Sequence, residues 1–95
     1  MLCFIVKITP KAEYFSILKS KLEEARGYTI KEKGCHLYLL HESVEGLHKS
    51  IYIYESFYSQ ADFDFHIQQE YIKEILSIFE TTLDCPVEII HLNAI

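Results

Sequence analysis

Apolar residues alternate with period two from the start of the chain. Leu2, Phe4, Val6 and Ile8 share one face of a strand expected over Leu2–Thr9, and Cys3 and Ile5 make its other face apolar as well. The period then changes. Pro10 suits a helix start, and from Lys11 the residues Phe15, Leu18, Leu22 and Ala25 recur at helical spacing, with Lys19, Glu23 and Glu24 on the solvated side. Gly27 is one place for this helix to end. Tyr28 to Glu32 can also continue it to a stop at Lys33-Gly34, where a cation in the last turn is followed by glycine. Cys35–Glu42 reads as a second strand, Val44–Lys49 as a hairpin-type connection centred on Gly46, and Ser50–Phe57 as a third strand rich in β-branched and aromatic residues. Ser59 is a good N-cap with Asp62 in the capping-box position, opening a helix to about Ile67. A further helix over about Glu70–Leu83 presents Ile72, Ile75, Leu76, Phe79 and Leu83 as its buried stripe. Asp84-Cys85-Pro86 stops it, and Val87–Leu92 is a closing strand.

This order is βαβ-βαβ with the second helix in two pieces. It predicts an α+β fold of the ferredoxin-like, split βαβ kind, with an antiparallel four-stranded sheet, built as one domain over residues 1–95. Helices in such a fold cover only one face of the sheet. Here the strands are apolar on both faces: Phe4 and Ile5, Leu37 and Tyr38, Ile53 and Tyr54. The uncovered face needs a cover, and a second copy, sheet against sheet, is the economical one. A hydrophobic share of 49% in only 95 residues points the same way, toward a homodimer.

Charge and cysteine content remove several functions. The net charge is −5 and no Lys/Arg cluster interrupts it, which argues against nucleic acid and against an anionic membrane as partner. Cys3, Cys35 and Cys85 are odd in number and lack CxxC spacing, as expected in a reducing compartment. The first residues lead straight into a strand broken by Lys7, unlike a leader peptide, and no apolar run approaches the length of a bilayer span. These features make the cytoplasm the expected location. His36, His41, His48 and His91 show no HxH, HxxxH or HxxE pairing, so no metal site is expected. No GxSxG elbow, P-loop or GxGxxG is present.

Three short patterns, taken in order, carry more. They are Gly34-Cys35 followed by Tyr38 at the start of the second strand, Glu55-Ser56-Phe57 ending the third, and Ser59 to His66 in the helix after it. With their spacing and the element order, the chain resembles the antibiotic biosynthesis monooxygenase family, especially its quinol-monooxygenase-like members, over essentially its whole length. The resemblance implies a dimeric αβ-barrel, in which two sheets face each other and each subunit keeps a pocket between its sheet and helices. It implies oxidation of a small aromatic, quinol or polyphenol by O₂ with no metal, flavin or haem. Other branches of the family degrade haem or lack known activity, so a non-catalytic dimer that binds a small molecule or haem is the alternative. The chain departs from the family pattern in three places. Phe57 stands where the family has Trp, Gln69-Glu70-Tyr71 where many members have Ser/Thr-Pro-His, and Ile53 where oxygenase members often have a polar residue.

Chemistry narrows the candidates. A phenol must lose its proton before it gives an electron readily to O₂, and an imidazole near its neutral pKa is the natural base. His66 shares a helix side with Phe63 and should look toward the sheet. It could equally be a histidine that fixes the helix by a hydrogen bond to Glu55 or to a backbone carbonyl. Glu55, on the strand face of Ile53 and Phe57, is a carboxylate among apolar neighbours, which is costly unless paired. It is expected to orient His66, to act as a base, or simply to cap a backbone N–H. Phe57 and Phe63 would wall the pocket or form ordinary core, and Tyr71 would stand in for the missing family histidine as a donor. Tyr38 would touch substrate or face the dimer interface.

Overall fold

The computed structural model describes residues 1–95. Four strands, β1 (Leu2–Ile8), β2 (Cys35–Glu42), β3 (Ile51–Phe57) and β4 (Glu88–Leu92), form one antiparallel sheet in the order β2-β3-β1-β4. Three α-helices, α1 (Phe15–Thr29), α2 (Gln60–Ile67) and α3 (Glu70–Thr82), lie against one face of it. This is the ferredoxin-like α+β arrangement that the periodicity predicts. No helix is long and apolar enough to cross a membrane.

β2 spans Cys35–Glu42 as expected, and the element ends that differ from expectation do so by one to four residues. Pro10 does not begin a helix. It pairs with Leu83 in an isolated bridge, and the Lys11 N–H donates to the Thr82 carbonyl, so the chain stays extended before a single 3-10 turn at Ala12–Tyr14 leads into α1. The pairing at Leu83 also ends α3 at Thr82. α1 runs through Gly27, where nothing crowds a side chain, and ends at Thr29. Gly34 is not a left-handed helix stop, since only Gly46 in the β2–β3 loop has a positive φ, 86°. Gly34 is needed for space instead: a Cβ there would overlap the Asp62 side chain of α2. Ser59 caps α2 as expected, accepting from the Asp62 N–H at 3.2 Å and donating to its carboxylate at 2.9 Å.

The core lies between the sheet and the helices. Phe4, Val6 and Ile8 of β1, Tyr38 of β2, and Ile51, Ile53 and Phe57 of β3 point into it, opposite Leu22 and Ala25 of α1 and Ile72 and Ile75 of α3. Leu76, expected in the buried stripe of α3, is 49% exposed. The other sheet face carries Cys3, Ile5, Leu37, Leu39, Tyr54, Ile90 and Leu92, with no element of this chain over it.

Candidate functional site

The site begins with three elements that meet near Gly34. The chain leaves α1 in two turns, with the Lys31 N–H on the Tyr28 carbonyl and the Glu32 N–H on the Thr29 carbonyl. It then passes Gly34, which lets α2 approach closely. This brings Glu32 beside His66, at the C-terminal end of α2, although the two are 34 residues apart. His66 Nδ1 lies 3.0 Å from Glu32 Oε2 and 3.3 Å from Oε1. The Tyr71 hydroxyl at the start of α3 donates to the same Glu32 carboxylate. Both His66 and Glu32 have nearly inaccessible side chains, at 4% and 5% exposed.

A carboxylate can only accept, so Glu32 fixes the proton of neutral His66 on Nδ1 and leaves Nε2 with a free lone pair. Nε2 faces Glu55 of β3, whose Oε1 is 4.0 Å away, beyond hydrogen-bonding reach. Glu55 Oε1 is fully enclosed and has no hydrogen-bond partner. The Phe57, Tyr38 and Phe63 rings surround the imidazole, with centroids 4.9, 5.7 and 6.2 Å away. Phe57 and Phe63 also meet edge to face at 5.5 Å, so their rings form a corner rather than a slot.

Burial sets the protonation of these groups. It pushes the Glu55 carboxyl up to about 8, helped by the nearby Glu32 charge, so Glu55 carries its proton at neutral pH. His66 is held below its ordinary value by burial, against the opposing pull of Glu32. The Tyr38 hydroxyl is pushed well above the usual phenol range by burial and then by Glu55. That of Tyr71 is raised by burial and by its bond to Glu32. Burial and the two carboxyl groups lift the Cys35 thiol to about 11, which leaves no thiolate for nucleophilic chemistry.

Glu55 and His66 open onto a cavity of about 260 Å³ between the sheet and α2–α3, and every other residue of its lining is hydrophobic. Tyr38, Ile53 and Phe63 are among them. Leu76 and Ile89, each about half exposed, stand at its mouth. A neutral imidazole with one free lone pair, a protonated carboxyl beside it and an apolar wall can take a proton from a weakly acidic ligand out of contact with water. No group of three His, Cys, Asp or Glu side chains is arranged to hold a metal ion.

The structure gathers His66, Glu55, Phe57, Phe63 and Tyr38 at one place. Tyr71 lies behind them, joined through Glu32 rather than facing the cavity. Tyr38 is only 3% exposed and points to the helix side, so it is not on the face left for a partner. Glu55 does not orient His66. Glu32 does, and the sequence marks Glu32 only as the tail of a helix. The one local signal was Gly34, whose lack of a side chain marks the point where this tail meets α2.

The sequence model of one family, described as "Antibiotic biosynthesis monooxygenase", matches residues 1–77. Among curated proteins none matches the chain. Several solved structures share its fold. Rv0793 from Mycobacterium tuberculosis is 23% identical, with a TM-score of 0.89 over 99% of this chain and 94% of that one. PA3566 from Pseudomonas aeruginosa is 24% identical, with a TM-score of 0.89 over 99% and 93%. A crystal structure described as an antibiotic biosynthesis monooxygenase is 20% identical, with a TM-score of 0.86 over 100% and 99%. At these identities the likeness establishes the fold alone.

Proposed function

The chain belongs to the antibiotic biosynthesis monooxygenase family, and from that membership we propose that it oxidises a small aromatic, quinol or polyphenol with O₂ and needs no metal, flavin or haem. The observation that carries this reading is His66: its Nδ1 is tied to Glu32 at 3.0 Å, and its other nitrogen is turned toward an apolar cavity. His66 Nε2 accepts the phenolic proton. The phenolate gives electrons to O₂, one oxygen atom enters the ring as a quinone oxygen, and the other leaves as water. The substrate supplies all four electrons, so no separate reductant is required. Phe63 and Tyr38 line the cavity, hold the ring and keep water away, while Phe57, fully buried and outside the cavity lining, is core that packs behind His66. Tyr71 acts at one remove, by holding Glu32.

The working unit of this reading is a homodimer of single-domain subunits, joined through the apolar outer face of the sheet that carries Leu39 and Ile90. Three unpaired cysteines suit a reducing compartment, the cytoplasm. A second reading, a module that binds a small molecule without turnover, draws on buried Ile53, which leaves the third strand without a polar group at that position of the site. Haem is the weaker ligand for such a module. The cavity of about 260 Å³ is small for a macrocycle, and no Lys or Arg lines it to meet carboxylate arms.

Oxygen uptake by the metal-free protein with a panel of quinols and polyphenols separates the readings. The expected result is uptake above autoxidation that falls by about 10²–10⁴-fold in His66→Ala. Uptake unchanged in that variant would remove His66 from the chemistry. Ligand binding with no uptake on any substrate would favour the module.

A further inference from the structure

Glu55 is the polar group that the fold leaves unexplained. Its residue is 5% exposed, Oε1 has no hydrogen-bond partner, and no cation stands against it. The groups around it are Glu32 from the segment after α1, Cys35 and Tyr38 of β2, and His66 of α2. On the β1 side its cross-strand neighbour is Phe4, with His91 of β4 beyond it. The nearest guanidinium, Arg26, is spent on the Tyr38 carbonyl at 2.7 Å. A buried carboxyl without a partner costs stability unless something other than the fold uses it.

The spacing shows a use. Glu55 and His66 both line the cavity, and Oε1 and Nε2 lie 4.0 Å apart, too far to bond each other, so one ligand hydroxyl seated against both side chains can donate to Nε2 and accept from the Glu55 O–H. We propose that Glu55 works as a protonated carboxylic acid that donates a hydrogen bond to the head oxygen of the ligand, and that the site therefore selects neutral aromatic ligands with a single oxygen head. Apart from the Tyr38 hydroxyl the remainder of the lining is apolar and offers no charged group, so burying a ligand carboxylate there costs an unpaired charge. For a phenol, the His66 lone pair takes the proton while the Glu55 O–H steadies the oxygen anion that forms, as an acid kept neutral by an apolar site can do. This role in turnover rests on the oxidation proposed above; the binding preference does not.

Two probes with the same ring system test the Glu55 donor: 2-acetylnaphthalene, neutral, whose one carbonyl can accept from Glu55 and makes no bond to His66 Nε2, and 2-naphthoate, its anionic counterpart. With the full-length protein at pH 7, calorimetry should find the ketone bound at least about tenfold tighter, one hydrogen bond to a buried group being of that order. Its affinity should then weaken by up to about tenfold per pH unit above about 8, as Glu55 ionises. Of the groups around Glu55, Tyr38, Tyr71 and Cys35 are pushed upward and His66 is held down, so a transition near 8 that Glu55→Gln removes belongs to Glu55. Glu55→Gln keeps a donor and should bind the ketone without that transition. In the unmutated protein, infrared spectroscopy at pH 7 should show a buried protonated carboxyl that disappears on raising the pH, a measurement that needs no variant. Equal or tighter binding of 2-naphthoate, a pH-independent ketone affinity in the unmutated protein, or the absence of the protonated carboxyl would each overturn the proposal. His66-dependent oxygen uptake would stand or fall separately. Failure of both probes to bind would also overturn it, and oxygen uptake would then decide whether the oxidation reading survives.

Discussion

The two faces of one sheet have different fates. On the inner face Phe4, Val6, Ile8, Ile53 and Phe57 are buried under α1 and α3. On the outer face Leu37 and Leu39 are each 37% exposed and Ile90 is 54% exposed, although the same alternation of apolar residues builds both. The polar groups divide in the opposite sense. Those on the inner side, His66, Glu32 and Glu55, are nearly dry, and two of the three are tied to one another. On the outer side small Ser56 is buried, but the Lys7–Glu88 pair at 3.6 Å is wet and contributes little in water. Apolar character marks where a cover is wanted. A buried, incompletely paired polar group marks where a ligand is wanted.

The outer face offers the largest test of this contrast. Leu39→Asp puts a charge at the proposed sheet-to-sheet contact, and two-fold symmetry introduces it twice. An unpaired buried charge costs about 3–5 kcal/mol. The expected outcome in analytical ultracentrifugation is a dimer for the parent and a monomer for the variant, with unchanged circular dichroism. A variant that stays dimeric would mean that the partner sits elsewhere.

The inner face responds to pH. Glu55 has a folded pKa raised from 4.5 to about 8, so its contribution to stability is complete below about 4.5. It is lost as pH rises to about 8, because the unfolded chain releases the proton first. The loss is on the order of 3–5 kcal/mol. His66 has the opposite sense: its pKa is lowered, so its contribution is present above 6.5 and disappears as pH falls through the folded value. Urea unfolding between pH 5 and 9 should therefore show a decline toward alkaline pH that Glu55→Gln removes. Parallel profiles for parent and variant would place the carboxyl in water rather than in the core.

The smallest effect separates the two donors on Glu32. Glu32→Gln removes the charge that holds His66 and should cost about 1.5–3 kcal/mol, whereas Tyr71→Phe removes one hydroxyl and should cost about 1 kcal/mol. Oxygen uptake should follow the same order. A larger loss from Tyr71→Phe than from Glu32→Gln would move Tyr71 from support into the chemistry.

Much of this was legible in the chain. The element order, the cap at Ser59 and the inward direction of Glu55 with Ile53 and Phe57 follow from short-range periodicity and steric preference, which operate within one element. The direction of Tyr38 was half legible. Its alternation with Leu37 and Leu39 separates the faces but does not say which face the helices take. Gly34 looked like a helix stop because glycine serves both as a left-handed residue and as a space-saver, and only its contact with Asp62 distinguishes the two.

By itself the sequence determined the layers: four strands, the helices between them, two apolar sheet faces and one histidine delivered by a short helix. Only the tertiary structure decided the site. Glu32 meets His66 across 34 residues and Tyr71 across 39, a distance at which no periodic pattern relates one residue to another. The protonation of Glu55 likewise comes from the low-polarity surroundings that packing creates. Secondary structure is a local balance of backbone sterics and side-chain spacing, so it can be read along the chain. A pKa and a hydrogen-bond partner depend on what the rest of the chain brings close and on how much water it excludes.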